Sequence, residues 1–384
     1  MLNDVKKVHI WMPNLFGFKG GIQVYSAYLL KALQKVLPYA QFDIFLLHDQ
    51  QSMKPDCGYS NARFYFTGGI AQKIRNPLYA ARVMYHAMLA QPDLIISTHL
   101  NFTPVAKAIK QVTNIPYWTV AHGVEAWDIS RPHLQKSLLI ADRILPVSDY
   151  TRDRLLNEQS LEPERLHTLP NTVDTQQFQI GPKPVRLLKK YCFSANQPVI
   201  LTVNRLCAAE SFKSYDQVIA ALPAILQQIP NTQYLIVGKG DDRDRLEQLI
   251  QDRQLQSNVT LAGFVPDEEL CDYYNLCDVF AMPSKLEGFG IVYLEAIACG
   301  KPALGGNQDG AVDALQSGKL GALVTPDDSE LIAQTLIQII RQEYSLPLMY
   351  QPQALRKAVI DLYGFESFQQ RLSVLLHDFF ARRA

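Results

Sequence analysis

A chain of 384 residues, 48% apolar and 19% charged, is long enough for two buried cores and has the balance of an ordinary globular protein. Its 37 Lys and Arg match 37 Asp and Glu, which argues against a nucleic-acid binder. No apolar run reaches the ~18 residues of a membrane-spanning helix. Cys57, Cys192, Cys207, Cys271, Cys277 and Cys299 are scattered, without a Cys-x-x-Cys pair or a histidine at metal spacing, so disulfide and metal roles are not expected.

The neutral total hides an asymmetry. Residues 1–124 carry 12 Lys and Arg against 5 Asp and Glu, whereas residues 125–384 carry 25 against 32. A basic first half fits an acidic partner or an anionic membrane surface, and equally a solvated basic face. The chain opens without an apolar leader and runs into a strand at residues 6–12. The expectation is therefore a cytoplasmic protein, with the inner face of the membrane as a further location.

After that strand comes a turn rich in glycine, ending in Gly20 and Gly21, and then a helix over residues 22–37. Glycine at a helix entry lets a backbone approach an anion closely, although loops need glycines anyway. Strand and helix patterns then alternate: strands at 41–48 and 62–66, a helix at 69–90, a strand at 93–98, a helix at 101–112 and a strand at 115–121. Such alternation predicts a parallel sheet covered by helices, with ligands bound beyond the C-terminal strand ends. The helix at 69–90 mixes Lys73, Arg75 and Arg82 with Leu78, Tyr79, Val83, Met84, Tyr85 and Met88. A basic amphipathic helix of this kind either lies on a membrane or packs its stripe into the core; core packing is expected for most of the stripe. His122 and Gly123 close the strand at 115–121, at an end where α/β enzymes place chemistry. Ser148 or Asp149 caps the helix that follows a strand at 143–147. Gly181, Pro182 and Pro184 mark a linker over residues 175–184.

The second half restarts the pattern, with strands at 198–203, 233–237 and 259–262 and helices at 215–228, 243–253 and 266–276. Arg205 and Lys213 fall in one loop after the first of these strands, where a guanidinium fork and a mobile ammonium can balance a diphosphate. Either cation alone reads as an ordinary surface charge. Asp242 and Asp244 open a charged helix, where acids favour the dipole, and capping is expected of them. An apolar strand at 277–282 then feeds the turn Glu287, Gly288, Phe289 and Gly290, and a helix over 291–299 stopped by Gly300 and Pro302. A helix opened by a glycine turn aims free N–H groups at an anion. Glu287 lies in the turn and Glu295 on the second helical turn, and helical side chains lean toward the N-terminus, so both carboxylates can reach one mouth. Phosphate alone would not use two carboxylates; a nucleotide sugar, with hydroxyls as well, would. Helices at 328–344 and 367–383 end the chain.

The Glu287-x7-Glu295 frame, with its glycines and the following Cys299, Gly300, Lys301 and Pro302, resembles the donor motif of the retaining glycosyltransferases of family 4. The resemblance covers nearly the whole chain, strongly in the second half. It implies the GT-B fold: two Rossmann-like, doubly wound α/β domains facing across a cleft, here residues 1–180 joined by the last helix 365–384, and residues 185–364. It implies transfer of a hexosyl group from a nucleotide diphosphate sugar to a hydroxyl, with retention and without a metal or other cofactor. Among the residues, it implies that Arg205, Lys213 and the helix start formed by Gly288, Phe289, Gly290, Ile291 and Val292 hold the diphosphate. Glu287 then holds sugar hydroxyls, Glu295 the ribose and Val265 the edge of the base. Gly20 and Gly21 lie under the diphosphate, and His122 lines the reaction centre. Lys213 stands eight residues after Arg205 where five is usual, and Ser214 replaces a glycine. The acceptor expected is a lipid-linked saccharide or glycolipid of cell-surface polysaccharide synthesis, with membrane contact through the basic first domain. A GT-B epimerase and a non-catalytic nucleotide-sugar-binding partner of an assembly complex stand as alternatives.

Overall fold

The structure, a computed structural model, describes residues 2–17, 20–54, 59, 61–208 and 213–383. Phe18 and Lys19 of the first glycine turn, Cys57 and residues 209–212 of the cationic loop lie outside the described residues. The chain divides into two compact units, residues 1–172 with 365–384, and residues 173–364.

The first unit alternates β1 (Lys7–Met12), α1 (Gly21–Val36), β2 (Gln41–Leu46), β3 (Ala62–Phe66), α2 (Gln72–Ala90), β4 (Leu94–Ser97), α3 (Thr103–Thr113), β5 (Tyr117–Ala121), α4 (Pro132–Leu138), β6 (Arg143–Pro146) and α5 (Asp149–Glu158). Its six strands are parallel in the order β3-β2-β1-β4-β5-β6. The second unit has α6 (Val185–Tyr191), β7 (Val199–Val203), α7 (Tyr215–Gln228), β8 (Gln233–Val237), α8 (Arg243–Asp252), β9 (Val259–Gly263), α9 (Asp267–Leu276), β10 (Val279–Met282), α10 (Ile291–Ala298), β11 (Ala303–Gly306), α11 (Ala311–Ala314), β12 (Ala322–Val324), α12 (Ser329–Ile340) and α13 (Pro352–Tyr363). Its sheet is parallel in the order β12-β11-β10-β7-β8-β9. The last helix, α14 (Phe365–Ala381), belongs to the first unit, where Phe368 packs edge-on to Tyr25 of α1 and Phe379 to Trp118 of β5.

Both sheets have the same doubly wound topology. The central strands read as near-continuous apolar runs, such as the fully buried β7 and β10, because helices cover both sheet faces. In each unit the strand order reverses once, between β1 and β4 and between β7 and β10. At such a switch point the loops leaving two neighbouring strands run in opposite directions and leave a crevice beyond their C-terminal ends. The turn before α1 and the turn before α10 both lie there.

Three elements differ from the sequence reading. Residues 173–180 pack with the second unit. Arg356 of α13 binds the carbonyls of Thr175, Phe178 and Ala298, and Asn275 accepts the Gly181 N–H at 2.8 Å. α13 itself has a short apolar stripe, Leu355, Val359 and Tyr363, and lies against α10. The core assignment of the α2 stripe holds for half of it. Tyr79, Val83 and Ala87 are buried, but Leu78, Tyr85 and Met88 face outward and Met84 is half-buried. Apolar residues wrap both sides of this helix, and a sheet can cover only one.

Candidate functional site

In the second unit, the loop between β10 and α10 is bound to the turn that follows β11. Asp309, fully buried, accepts the Ser284 hydroxyl and the Glu287 N–H at 2.7 Å on one oxygen. Its other oxygen accepts the Ala311 N–H at 2.9 Å. The Gly310 N–H donates back to the Glu287 carbonyl at 2.8 Å. Two glycines make this close approach possible: a Cβ at Gly310 would sit 2.1 Å from the Gly288 carbonyl oxygen, and one at Gly290 would sit 2.4 Å from the Tyr293 ring. Gly290 also has φ +87°, in the left-handed region that suits glycine. Burial pushes the Asp309 carboxyl up to about 7, against the three hydrogen bonds that favour its charged form.

The fixed turn opens the eight-residue α10 at Ile291, with Ile291 and Val292 half-buried. The N–H groups of a first helical turn point outward along the positive end of the dipole. At the opposite end, the Arg356 guanidinium binds the Ala298 carbonyl, a cation at the negative pole. Phe289 is buried against Tyr363, 5.4 Å between ring centroids, so only its backbone can face a ligand. Glu287 is half-buried and its Oε2 pairs with the Lys213 ammonium. Lys213 reaches it from the loop after β7, and the next residue, Ser214, stands at φ +58° at the entry to α7. Serine there takes the left-handed conformation that glycine would take at less cost. Arg205, on the same loop, is exposed.

Glu295 is 9% exposed and accepts the Tyr274 hydroxyl of α9 at 2.7 Å. Its carboxylate is thus tied toward α9, one turn beneath the helix start. Burial, and then the Glu295 charge, push the Tyr274 phenol well above its ordinary range. Val265 is buried, while the neighbouring Phe264 is exposed beneath the Lys239 ammonium, 4.8 Å from its ring centre. Asp242 makes no capping bond with its side chain, contrary to the sequence expectation. Its carboxylate instead holds Arg245 at 2.6 and 2.7 Å and accepts the Tyr215 hydroxyl at 2.5 Å, because burial makes a guanidinium fork the better partner.

In the first unit, Asp49 follows β2 and gathers the loop after β1. It accepts the N–H groups of Leu15, Phe16 and Gly17 at 2.6, 2.9 and 2.9 Å. Asn14 accepts from the Gln23 amide at 2.6 Å. This loop ends at Gly20, extended at φ −155° before α1, and a Cβ at Gly21 would meet nothing within 4 Å. Among the described residues no atom therefore demands glycine at position 21; the open space is what a ligand would need. His122 closes β5. Its Nε2 lies 2.9 Å from the Thr98 carbonyl, which can only accept, so Nε2 carries the proton. Although part of the residue reaches solvent, burial of the ring pushes its pKa down to about 3. His122 is therefore a neutral imidazole with Nδ1 as acceptor. Its own N–H donates to Glu125 at 2.6 Å, and burial raises that carboxyl.

Asp309, Asp49 and Tyr274 escaped the sequence reading as site residues. Asp309 lies in the turn after β11 and Asp49 is an acid just beyond an apolar strand, but their partners are distant in the chain. Ser148 is the helix cap at α5, accepting the Thr151 N–H at 3.0 Å.

Two doubly wound units with ligand-ready turns at both switch points define a GT-B protein, and solved structures agree. Sucrose-phosphate synthase from Thermosynechococcus elongatus superposes with a TM-score of 0.80 at 21% identity, over 98% of this chain and all of that one. Anabaena HepE in complex with UDP and glucose gives 0.75 at 20%, over 97% and 99%. Residues 19–177 match the model described as Glycosyltransferase Family 4, and residues 187–357 the one described as Glycosyl transferases group 1. The chain belongs to this family of glycosyltransferases. Among curated relatives, the GDP-mannose-dependent alpha-(1-6)-phosphatidylinositol monomannoside mannosyltransferase of Mycolicibacterium smegmatis is 33% identical over 222 residues, 55% of this chain and 57% of the relative. The chain spans about half the length of the curated relatives it matches.

Proposed function

We propose that the protein is a retaining hexosyltransferase that moves a sugar from a nucleotide diphosphate sugar to a hydroxyl of a glycolipid or lipid-linked saccharide. The observation that carries this reading is the turn from Glu287 to Gly290. It is a rigid glycine turn at a helix start, with an ammonium and a carboxylate paired at its mouth. Anion and polyol recognition need these two charges side by side, and a bare phosphate site would not.

In this reading the first-turn N–H groups of Gly290, Ile291 and Val292 meet the diphosphate, together with Lys213 and Arg205. Lys213 leaves Glu287 for the phosphate, and Glu287 turns to hydroxyls of the transferred sugar. As the bond from the anomeric carbon to the diphosphate oxygen breaks, charge builds on that oxygen, and donors aimed at it lower the barrier. The acceptor hydroxyl forms the new bond on the same face, and its proton passes to the departing phosphate. His122, neutral, accepts a sugar hydroxyl through Nδ1 and serves as an orienting group, not a cationic acid. Glu295, held by Tyr274, binds the ribose, and the backbone at Val265 edges the base. Gly20 and Gly21 leave room for the diphosphate. The mannosyltransferase relatives support a glycolipid acceptor and make GDP-mannose the first donor to try.

The test is to incubate the chain with GDP-mannose or UDP-glucose and a panel of glycolipid and polyprenyl-saccharide acceptors, then read product mass and anomeric configuration. An α-linked product from an α-donor, lost in Glu287→Gln and Lys213→Met, is the expected result. Turnover to an epimerised nucleotide sugar without an acceptor, or binding without any product, would replace the reading.

A further inference from the structure

Two cysteines that stand 28 residues apart in the chain meet in the second unit. Sγ of Cys271, on α9, lies 3.9 Å from Sγ of Cys299, the capping residue at the C-terminus of α10. Their spacing hides this, because the two helices come together only in the fold. The two sulfurs differ in their surroundings. Cys299 is 1% exposed, whereas Cys271 is partly open to solvent. Sγ of Cys271 also accepts the Gln179 N–H at 3.5 Å and the Asn275 side-chain amide at 3.4 Å. When protonated, the same sulfur can donate to the Gln179 carbonyl, also at 3.5 Å.

Donors that converge on a sulfur favour its thiolate. The Cys299 S–H, then the Gln179 N–H and the Arg356 guanidinium of α13, outweigh burial and the Asp272 charge and bring the Cys271 thiol down to about 6. Cys299 is pushed up, because Cys271 holds its proton and its sulfur is enclosed. One sulfur is thus an accessible thiolate, and the other is a shielded thiol in contact with it. A buried cysteine that merely packs needs neither the opening nor the donors. A low-lying, accessible thiol beside a second thiol is the arrangement that oxidants select.

We propose that Cys271 and Cys299 form a reversible oxidation site, in which Cys271 attacks a hydroperoxide and Cys299 resolves the product to a disulfide. In the first step an S–O bond to Cys271 forms and the O–O bond breaks. This leaves a sulfenic acid, and the departing oxyanion takes a proton from water. The negative charge that held the Cys299 proton is then gone, so that thiol can release it. In the second step Sγ of Cys299 bonds to Sγ of Cys271, the S–O bond breaks, and the oxygen leaves as water with the Cys299 proton. Both sulfurs are oxidised and the peroxide is reduced; a dithiol reverses the change. Closing the gap to a ~2.05 Å bond draws the two side chains together. Tyr274 follows Cys271 by three residues and Glu295 precedes Cys299 by four, so the 2.7 Å hydrogen bond between them crosses the same helix contact one turn away. Oxidation therefore reaches the Glu295 carboxylate. That consequence rests on the proposed donor site; the oxidation site itself does not.

The experiment treats the reduced full chain with hydrogen peroxide, blocks the remaining thiols by alkylation and maps the peptides by mass. A cross-linked pair holding Cys271 and Cys299, lighter by two hydrogens, should form faster than any oxidation of the exposed Cys192 and revert with dithiothreitol. Before oxidation, iodoacetamide labelling of Cys271 should rise with pH to a midpoint near 6, where an ordinary thiol gives about 8.5. Cys299→Ser should leave Cys271 as a sulfenic acid that dimedone traps, and Cys271→Ser should leave Cys299 unreacted. The wild-type map decides the case even where a variant at the buried Cys299 fails to fold. The disulfide form should also bind the nucleotide that stabilises the reduced chain about ten-fold less tightly. A nucleotide bound by neither form would count against the donor site and leave the mass map to judge the oxidation site. Peroxide that leaves both thiols open to alkylation, or that carries Cys271 to a sulfinic acid without the cross-link, would overturn the proposal.

Discussion

At the scale of single residues, the site is governed by which charges are buried and what they hold. Asp309 is the clearest case, since its carboxyl is lifted to about 7 by burial while it positions the Glu287 backbone. A carboxyl raised in the folded state contributes stability that is present below about pH 4 and lost as pH rises through about 7. Asp309→Asn removes that dependence. Its unfolding midpoint relative to the wild type should therefore become more favourable from pH 5 to pH 8; a constant difference across that range would show the carboxyl to be ordinary. His122 gives the opposite expectation. With its pKa pushed to about 3, its imidazole resonances should not titrate between pH 5 and 8, and no limb of a pH–activity profile in that range should belong to it. Neither group announces this in the sequence. An aspartate two residues before a helix and a histidine at a strand end look the same whether solvated or enclosed, because burial is decided by distant segments.

At the scale of elements, two helix entries that both carry glycine behave differently. Gly290 has positive φ and no room for a Cβ, whereas Gly21 has room on the protein side. Gly290→Ala should destabilise the second unit by about 1–2 kcal/mol from backbone strain alone, more where Tyr293 must move. Gly21→Ala should leave the unfolding midpoint of the free protein nearly unchanged and weaken nucleotide-sugar binding. Equal losses of stability at both positions would contradict the assignment. Most elements were legible from the chain: β3, α7 and β8 have the expected bounds, and others shift by a few residues. The alternation of apolar strands with 3.6-periodic helices carries that information locally. What was not legible follows from tertiary competition. The α2 helix has apolar residues on two arcs, and nothing local says which arc the sheet takes. α13 is bound to its unit through Arg356 and residues 175–178, contacts that span most of the second half of the chain.

At the scale of the whole molecule, the charge asymmetry and the duplicated topology divide the labour. The first unit has the basic, acid-poor stretch of residues 1–124 and the open glycine entry. The second has the enclosed Glu287–Gly290 turn, with Lys213 and Glu287 paired. No helix among the described residues is long and apolar enough to cross a membrane. The donor frame was readable because its residues are consecutive; the aspartates that hold each turn rigid were not, because they come from other strands. The central claim is that the second unit holds a nucleoside diphosphate. Its most direct test is the unfolding midpoint of the full chain with UDP, GDP or ADP, each with and without a chelator. A nucleotide at a hundred times its dissociation constant adds about 2.7 kcal/mol. The account expects a clear upward shift with one of the three, the same with chelator present, and lost in Lys213→Met and Glu295→Ala. No shift with any nucleotide, or a shift that both variants retain, would contradict it.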